Sequence, residues 1–149
     1  MIGPLDRGLV HLARNLTVPV ARFGLFVIFF WFGLLKLLGM SPAAGLVRNL
    51  YTQTISFMSF DVFFMLFAAF ECLIGILFLI KGTERVVIPL LFIHMAMTFM
   101  PLFMLPEITW QAPFVPTLEG QYIIKNLAII ASALAIAAHM HPVRRSIGS

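Results

Sequence analysis

Cysteine is all but missing from this 149-residue chain: Cys72 is the only one, and it sits inside an apolar run. A single thiol excludes an intramolecular disulfide and a Cys-x-x-Cys redox pair, and with them the thiol-disulfide membrane reductases that need paired cysteines. Charge is scarce as well, at 11% of residues, with six acidic groups against ten Lys and Arg. So little charge cannot clothe a soluble domain. Also missing are a Gly-rich phosphate loop, a nucleophile elbow, the paired carboxylates of a soluble active site, a low-complexity tract and an internal repeat.

What fills the space is apolar: 61% of residues are hydrophobic and the mean hydropathy is +1.02. A spanning helix needs roughly 20 mainly apolar residues, and four such stretches use up nearly the whole chain. The fold class expected is therefore all-α: an integral membrane four-helix bundle in one domain, with short amphipathic interfacial helices. The net charge of +4 does not signal nucleic acid, because the basic residues are scattered beside the apolar segments, where they serve topology and lipid contact.

Along the chain, Leu5, Leu9, Leu12 and Leu16 recur at helical spacing, which predicts an interfacial helix over 1–19 that Pro19 ends. The first span follows over 21–39. Charged residues interrupt the N-terminal stretch before any apolar run, so a cleavable signal peptide is not expected and the first span acts as its own anchor. Ser41 and Pro42 start a surface helix over 41–58. The second span covers 60–80, and Lys81 to Arg85 make a tight charged turn. The third covers 86–105, with Pro89 and Pro101 inside it. An ordered loop with Trp110 fills 106–119, the fourth span covers 120–140, and a basic tail ends the chain over 141–149.

Arg7, Arg14, Arg22, Lys81, Arg85, Arg144 and Arg145 fall on one side of these spans and only Arg48 on the other. Both termini are therefore expected in the cytoplasm, in a bacterial or archaeal cytoplasmic membrane.

Ionisable or strongly polar groups inside a span are costly, and each is a candidate for function. Five stand out: Lys36, Glu71, His94, Lys125 and Asn126. Glu71 and His94 fall near mid-depth on adjacent helices, while Lys36, Lys125 and Asn126 form a shallower layer near the outer surface. A partner of opposite sign would offset the burial of Glu71. Lys36 has two readings, snorkelling to the outer headgroups or an arm turned inward to Glu71. Lysines facing the interior would leave surplus positive charge, suited to an anion or a quinone carbonyl. His94 has a plain structural reading as an interhelical hydrogen-bond donor. Only His94 is deep, with His11, His139 and His141 near the cytoplasmic surface, so a two-histidine haem site is not expected. Structural zinc lacks thiolate ligands.

These residues resemble the DoxX-like superfamily of small four-span membrane proteins. The likeness lies in Trp31-Phe32-Gly33-Leu34-Leu35-Lys36, in Glu71-Cys72-Leu73-Ile74-Gly75-Ile76-Leu77, in Thr98-Phe99 with Leu105-Pro106-Glu107, and in Glu119-Gly120-Gln121-Tyr122-Ile123-Ile124-Lys125-Asn126-Leu127. The resemblance implies a redox-associated inner-membrane subunit with no metal or covalent cofactor of its own, binding a quinone or small anion beside an electron-carrying partner. It marks Lys36, Glu71, Lys125 and Asn126 as family-type positions. The alternative is a non-enzymatic assembly or scaffold subunit. Expected partners are the lipid bilayer and either another protein or a second copy of the chain.

Overall fold

The computed structural model describes residues 3–55 and 57–140. The predicted basic tail, with His141, lies outside the described residues. The chain is mostly helical. Four helical stretches are long and apolar enough to cross a membrane: Asp6–Leu37, Phe60–Leu79, Glu84–Met104 and Leu118–Ala138.

Helix α1 runs unbroken over Gly3–Leu37. The expected break at Pro19, and with it a separate interfacial helix, is corrected: Pro19 lies inside one 35-residue helix. Proline forfeits one backbone bond and clashes with the preceding turn, yet the turns on either side propagate past it. The Thr17 hydroxyl donates to the Ala13 carbonyl at 2.6 Å within this stretch. At 1.5 Å per residue α1 is about 52 Å long. It ends where Gly39, at φ +69°, turns the chain. The Met40 amide donates to the Leu35 carbonyl (2.9 Å) and the Gly39 amide to that of Lys36 (3.1 Å), the double bond of a glycine-closed helix end.

The surface helix α2 spans Ala44–Thr54, and Ser59, whose hydroxyl accepts from the Val62 amide, caps α3, Phe60–Leu79. Gly82, at φ +92°, makes the turn into α4, Glu84–Phe99. Pro101 restarts the helix as α5, Pro101–Met104. The predicted loop over 106–119 has structure of its own: a short helix α6, Pro106–Thr109, then a two-stranded antiparallel hairpin, β1 Trp110–Ala112 and β2 Val115–Pro116. The last rod is α7, Leu118–Lys125, followed by α8, Leu127–Ala138.

Four helices share one core. Leu25 and Phe29 come from α1, Ile74 and Phe78 from α3, Val87, Leu91 and Met95 from α4, and Ile129, Ala133 and Ile136 from α8. The tightest seam is α1 against α3, because two glycines let the backbones meet. A Cβ on Gly33 would lie 2.9 Å from the Ala68 carbonyl oxygen and from the Cys72 amide, and one on Gly75 would lie 2.7 Å from the Phe30 amide. Away from the core the surface stays apolar: Phe23, Trp31, Met65, Ile93 and Leu134 are all exposed.

Candidate functional site

Three of the five expected residues come together where α1, α3 and α4 meet. The Lys36 ammonium donates to Glu71 Oε2 at 2.6 Å, and His94 Nε2 stands 2.9 Å from Glu71 Oε1. Glu71 and His94 sit near the middle of their helices. Lys36 is in the last turn of α1, so its arm must lie back along the helix to reach Glu71. The Gly33 contact makes this possible by drawing α1 onto the turn of α3 that bears Glu71. All three side chains are buried, each 5–7% exposed.

The surroundings are aromatic. Phe67 stacks on the His94 ring at 5.1 Å, Phe29 meets it edge-on at 5.2 Å, and Phe70 lies at 6.1 Å. Phe67 also stands 5.6 Å beneath the Lys36 ammonium. Its ring face attracts that cation while excluding water from the ion pair. A cation and an anion at 2.6 Å attract strongly in such a setting, and most of that attraction goes to offset the desolvation of both ions.

The hydrogen-bond directions limit what the site can do. A carboxylate held by an ammonium only accepts, so His94 Nε2 is a donor to it. On the far side of the ring, His94 Nδ1 lies 3.3 Å from the Thr98 hydroxyl, which is also 2.9 Å from the His94 carbonyl. Thr98 has one proton for two neighbours. Given to Nδ1, it completes a neutral imidazole; given to the carbonyl, it leaves an oxygen lone pair facing Nδ1, ready to accept from a doubly protonated ring. Thr98, Glu71, His94 and Lys36 thus form one continuous chain of exchangeable protons across three helices.

Lys125 and Asn126 are not part of it. Lys125 is exposed, with its ammonium 5.2 Å over the Tyr122 ring, and Asn126 is half-buried at the junction of α7 and α8. No hydrogen bond or ion pair among the described residues joins either to Glu71. Of the two lysines only Lys36 turns inward, where it pairs with Glu71, so the surplus positive charge that two inward lysines would leave does not arise. The cause is helical phase. Ile123 faces the core, and Lys125, two positions on, is turned about 200° around the axis.

Sequence reasoning missed three features. Thr98 lies one turn beyond His94 and Phe67 one turn before Glu71; those i, i+4 spacings were the available signal. The third is a clamp at the Gly82 end, where Arg22 pairs with Glu84 and donates to the Ile80 carbonyl at 2.6 Å. Arg22 had looked like a flanking charge, and nothing local in the sequence announces its partner 62 residues away.

Two concavities lie elsewhere. One, of about 470 Å³, is an open apolar groove between α1 and α8 lined by Leu16, Val20, Ala131 and Ala135. The other, of about 300 Å³, lies at the Gly82 end beside Glu84 and His139. Neither borders Glu71. Among the described residues no group of three or more His, Cys, Asp or Glu could hold a metal. Set against protein-family models, curated proteins and solved structures, the chain matches none.

Proposed function

We propose that this chain is a multi-pass integral membrane protein of the DoxX-like type. In this reading it is a four-helix bundle in a bacterial or archaeal cytoplasmic membrane, with both termini in the cytoplasm. It serves as a redox-associated subunit that exchanges protons and hydrogen bonds with a quinone or small anion beside an electron-carrying partner. The observation that carries the reading is the buried Lys36, Glu71 and His94 cluster in its aromatic surround. Three buried ionisable side chains, two of them near the middle of apolar helices, are a costly way to hold helices together, since neutral polar groups would do so.

The donor chemistry fits a quinone carbonyl. The Lys36 ammonium has three N–H groups and gives one to Glu71, so a carbonyl can accept another. Glu71 and His94 then move a proton towards or away from that oxygen, with Thr98 restoring the hydrogen bond at Nδ1. Electrons come from the partner.

The test is binding of a short-chain quinone to purified protein in nanodiscs, beside Glu71→Gln and Lys36→Met. Saturable binding that each variant weakens at least tenfold is the expected result. Equal affinity in all three proteins refutes it.

A second reading, an assembly or scaffold subunit, is favoured by one specific observation. Among the described residues every buried side-chain nitrogen and oxygen already has a partner. Under that reading the wild type binds no quinone, and the same variants lower the folded yield of the complex.

A further inference from the structure

The hairpin between the third and fourth apolar stretches carries a contradiction that the interior does not explain. Phe114 is 94% exposed, and its φ of 62° is the only positive value at a non-glycine among the described residues. It occupies the second position of the Pro113-Phe114 turn joining β1 to β2, where glycine or asparagine is the undemanding choice. A bulky ring in that backbone region is strained, and full exposure to water adds a second cost.

The strain is not slack in a loose loop, because the hairpin's foot is well held. The Trp110 indole donates to the Leu102 carbonyl at 3.0 Å, the Thr117 amide to the Thr109 carbonyl at 3.0 Å, and the Thr117 hydroxyl to the Ile108 carbonyl at 2.7 Å. Thr109 itself is fully buried. A rigid foot therefore presents a strained aromatic tip.

We propose that this tip is a lipid anchor: Phe114 enters the boundary between headgroups and acyl chains on the side of the membrane where α2 lies. The proposal rests on the membrane reading above. Its occupant is argued from composition and continuity. From Ile108 to Leu118 there is no charged residue, while Glu107 and Glu119 stand exposed at the two feet. Phe103 and Leu118, on the segments flanking the hairpin, are exposed too, as is Val115 beside Phe114, so exposed apolar side chains lie on both flanks of the hairpin as well as at its tip. Acyl chains accept such a surface without asking for charge or shape complementarity, and a Trp near a membrane boundary keeps its N–H satisfied as Trp110 does.

The experiment places an environment-sensitive fluorophore at Phe114→Cys in a Cys72→Ala background, in phosphatidylcholine vesicles. A nitroxide on the lipid acyl chain and aqueous iodide serve as the two quenchers. Leu134→Cys, on the exposed face of α8, carries the same label as control. Expected is loss of emission at position 114 with the lipid nitroxide and protection from iodide. Quenching by iodide alone overturns the anchor, as does a label that neither quencher reaches, which would place protein over the tip. If the Leu134 label also escapes the nitroxide, the membrane reading itself fails. In detergent, Phe114→Gly should fold and unfold at a temperature no lower than the parent, since it removes the strain. A Phe114→Gly protein that fails to fold would make the ring a structural element and end the proposal.

Discussion

Removing the charge of Glu71 while keeping its shape is the sharpest test of the buried cluster. In the folded protein Glu71→Gln leaves the Lys36 ammonium beside a neutral amide, among Phe rings. At 2.6 Å and an effective dielectric of about 20, the lost attraction is roughly 6 kcal/mol. Some of that is recovered as Lys36 relaxes, and measured costs of leaving one partner of a buried pair unmatched run at about 3–5 kcal/mol. Glu71→Gln should therefore destabilise by that amount. Lys36→Met should rescue it, because an apolar side chain of similar length has no desolvation to offset. The assay is reversible unfolding in mixed micelles for wild type, both single variants and the double variant. A coupling energy of about 3 kcal/mol is the expected outcome. A Glu71→Gln protein within about 0.5 kcal/mol of wild type, or a double variant no better than the single, would show that Lys36 does not face Glu71 in the folded chain.

Three further outcomes follow from the packing. Gly33→Ala should cost about 1–3 kcal/mol by forcing α1 off the Ala68 and Cys72 backbone, whereas Gly24→Ala, with nothing within 4 Å of the new methyl, should be neutral or gain up to about 1 kcal/mol; equal effects in thermal unfolding would contradict the close seam. Glu84→Ala should cost about 1–2 kcal/mol and speed amide hydrogen exchange around the Gly82 turn, since Arg22 then keeps only its bond to the Ile80 carbonyl; unchanged exchange would argue against the clamp. Thr98→Val should alter the ring-nitrogen NMR shifts of His94, most of all at Nδ1, while Thr98→Ser preserves them; identical spectra in all three would remove Thr98 from the hydrogen-bond chain.

Much of the architecture was readable in advance, for a physical reason. A long apolar helix satisfies its own backbone, so its length and placement depend on local composition. The four stretches and the Gly82 turn follow from runs and glycines; the α2 segment was expected too, but it is shorter than 41–58 and starts at Ala44, with Ala43 and not Ser41 at its N-cap. The same local rule misled at Pro19, where one proline among good helix-forming turns bends the balance less than its reputation suggests. It also missed the hairpin at Trp110 to Pro116, whose two short strands are set by the rigid turns around Thr109 and Thr117.

The candidate site divides along the same line. That Glu71 and His94 needed company was evident from the sequence alone, because an ionisable group in an apolar run has no local means of satisfaction. Which company they keep was not. The Lys36 arm turns inward because Gly33 lets two backbones touch, and Lys125 turns outward because Ile123 claims the core-facing phase of its helix. Helix formation is a matter of neighbours in the chain; the choice between two lysines depended on how four helices rotate against one another, and only packing decides that.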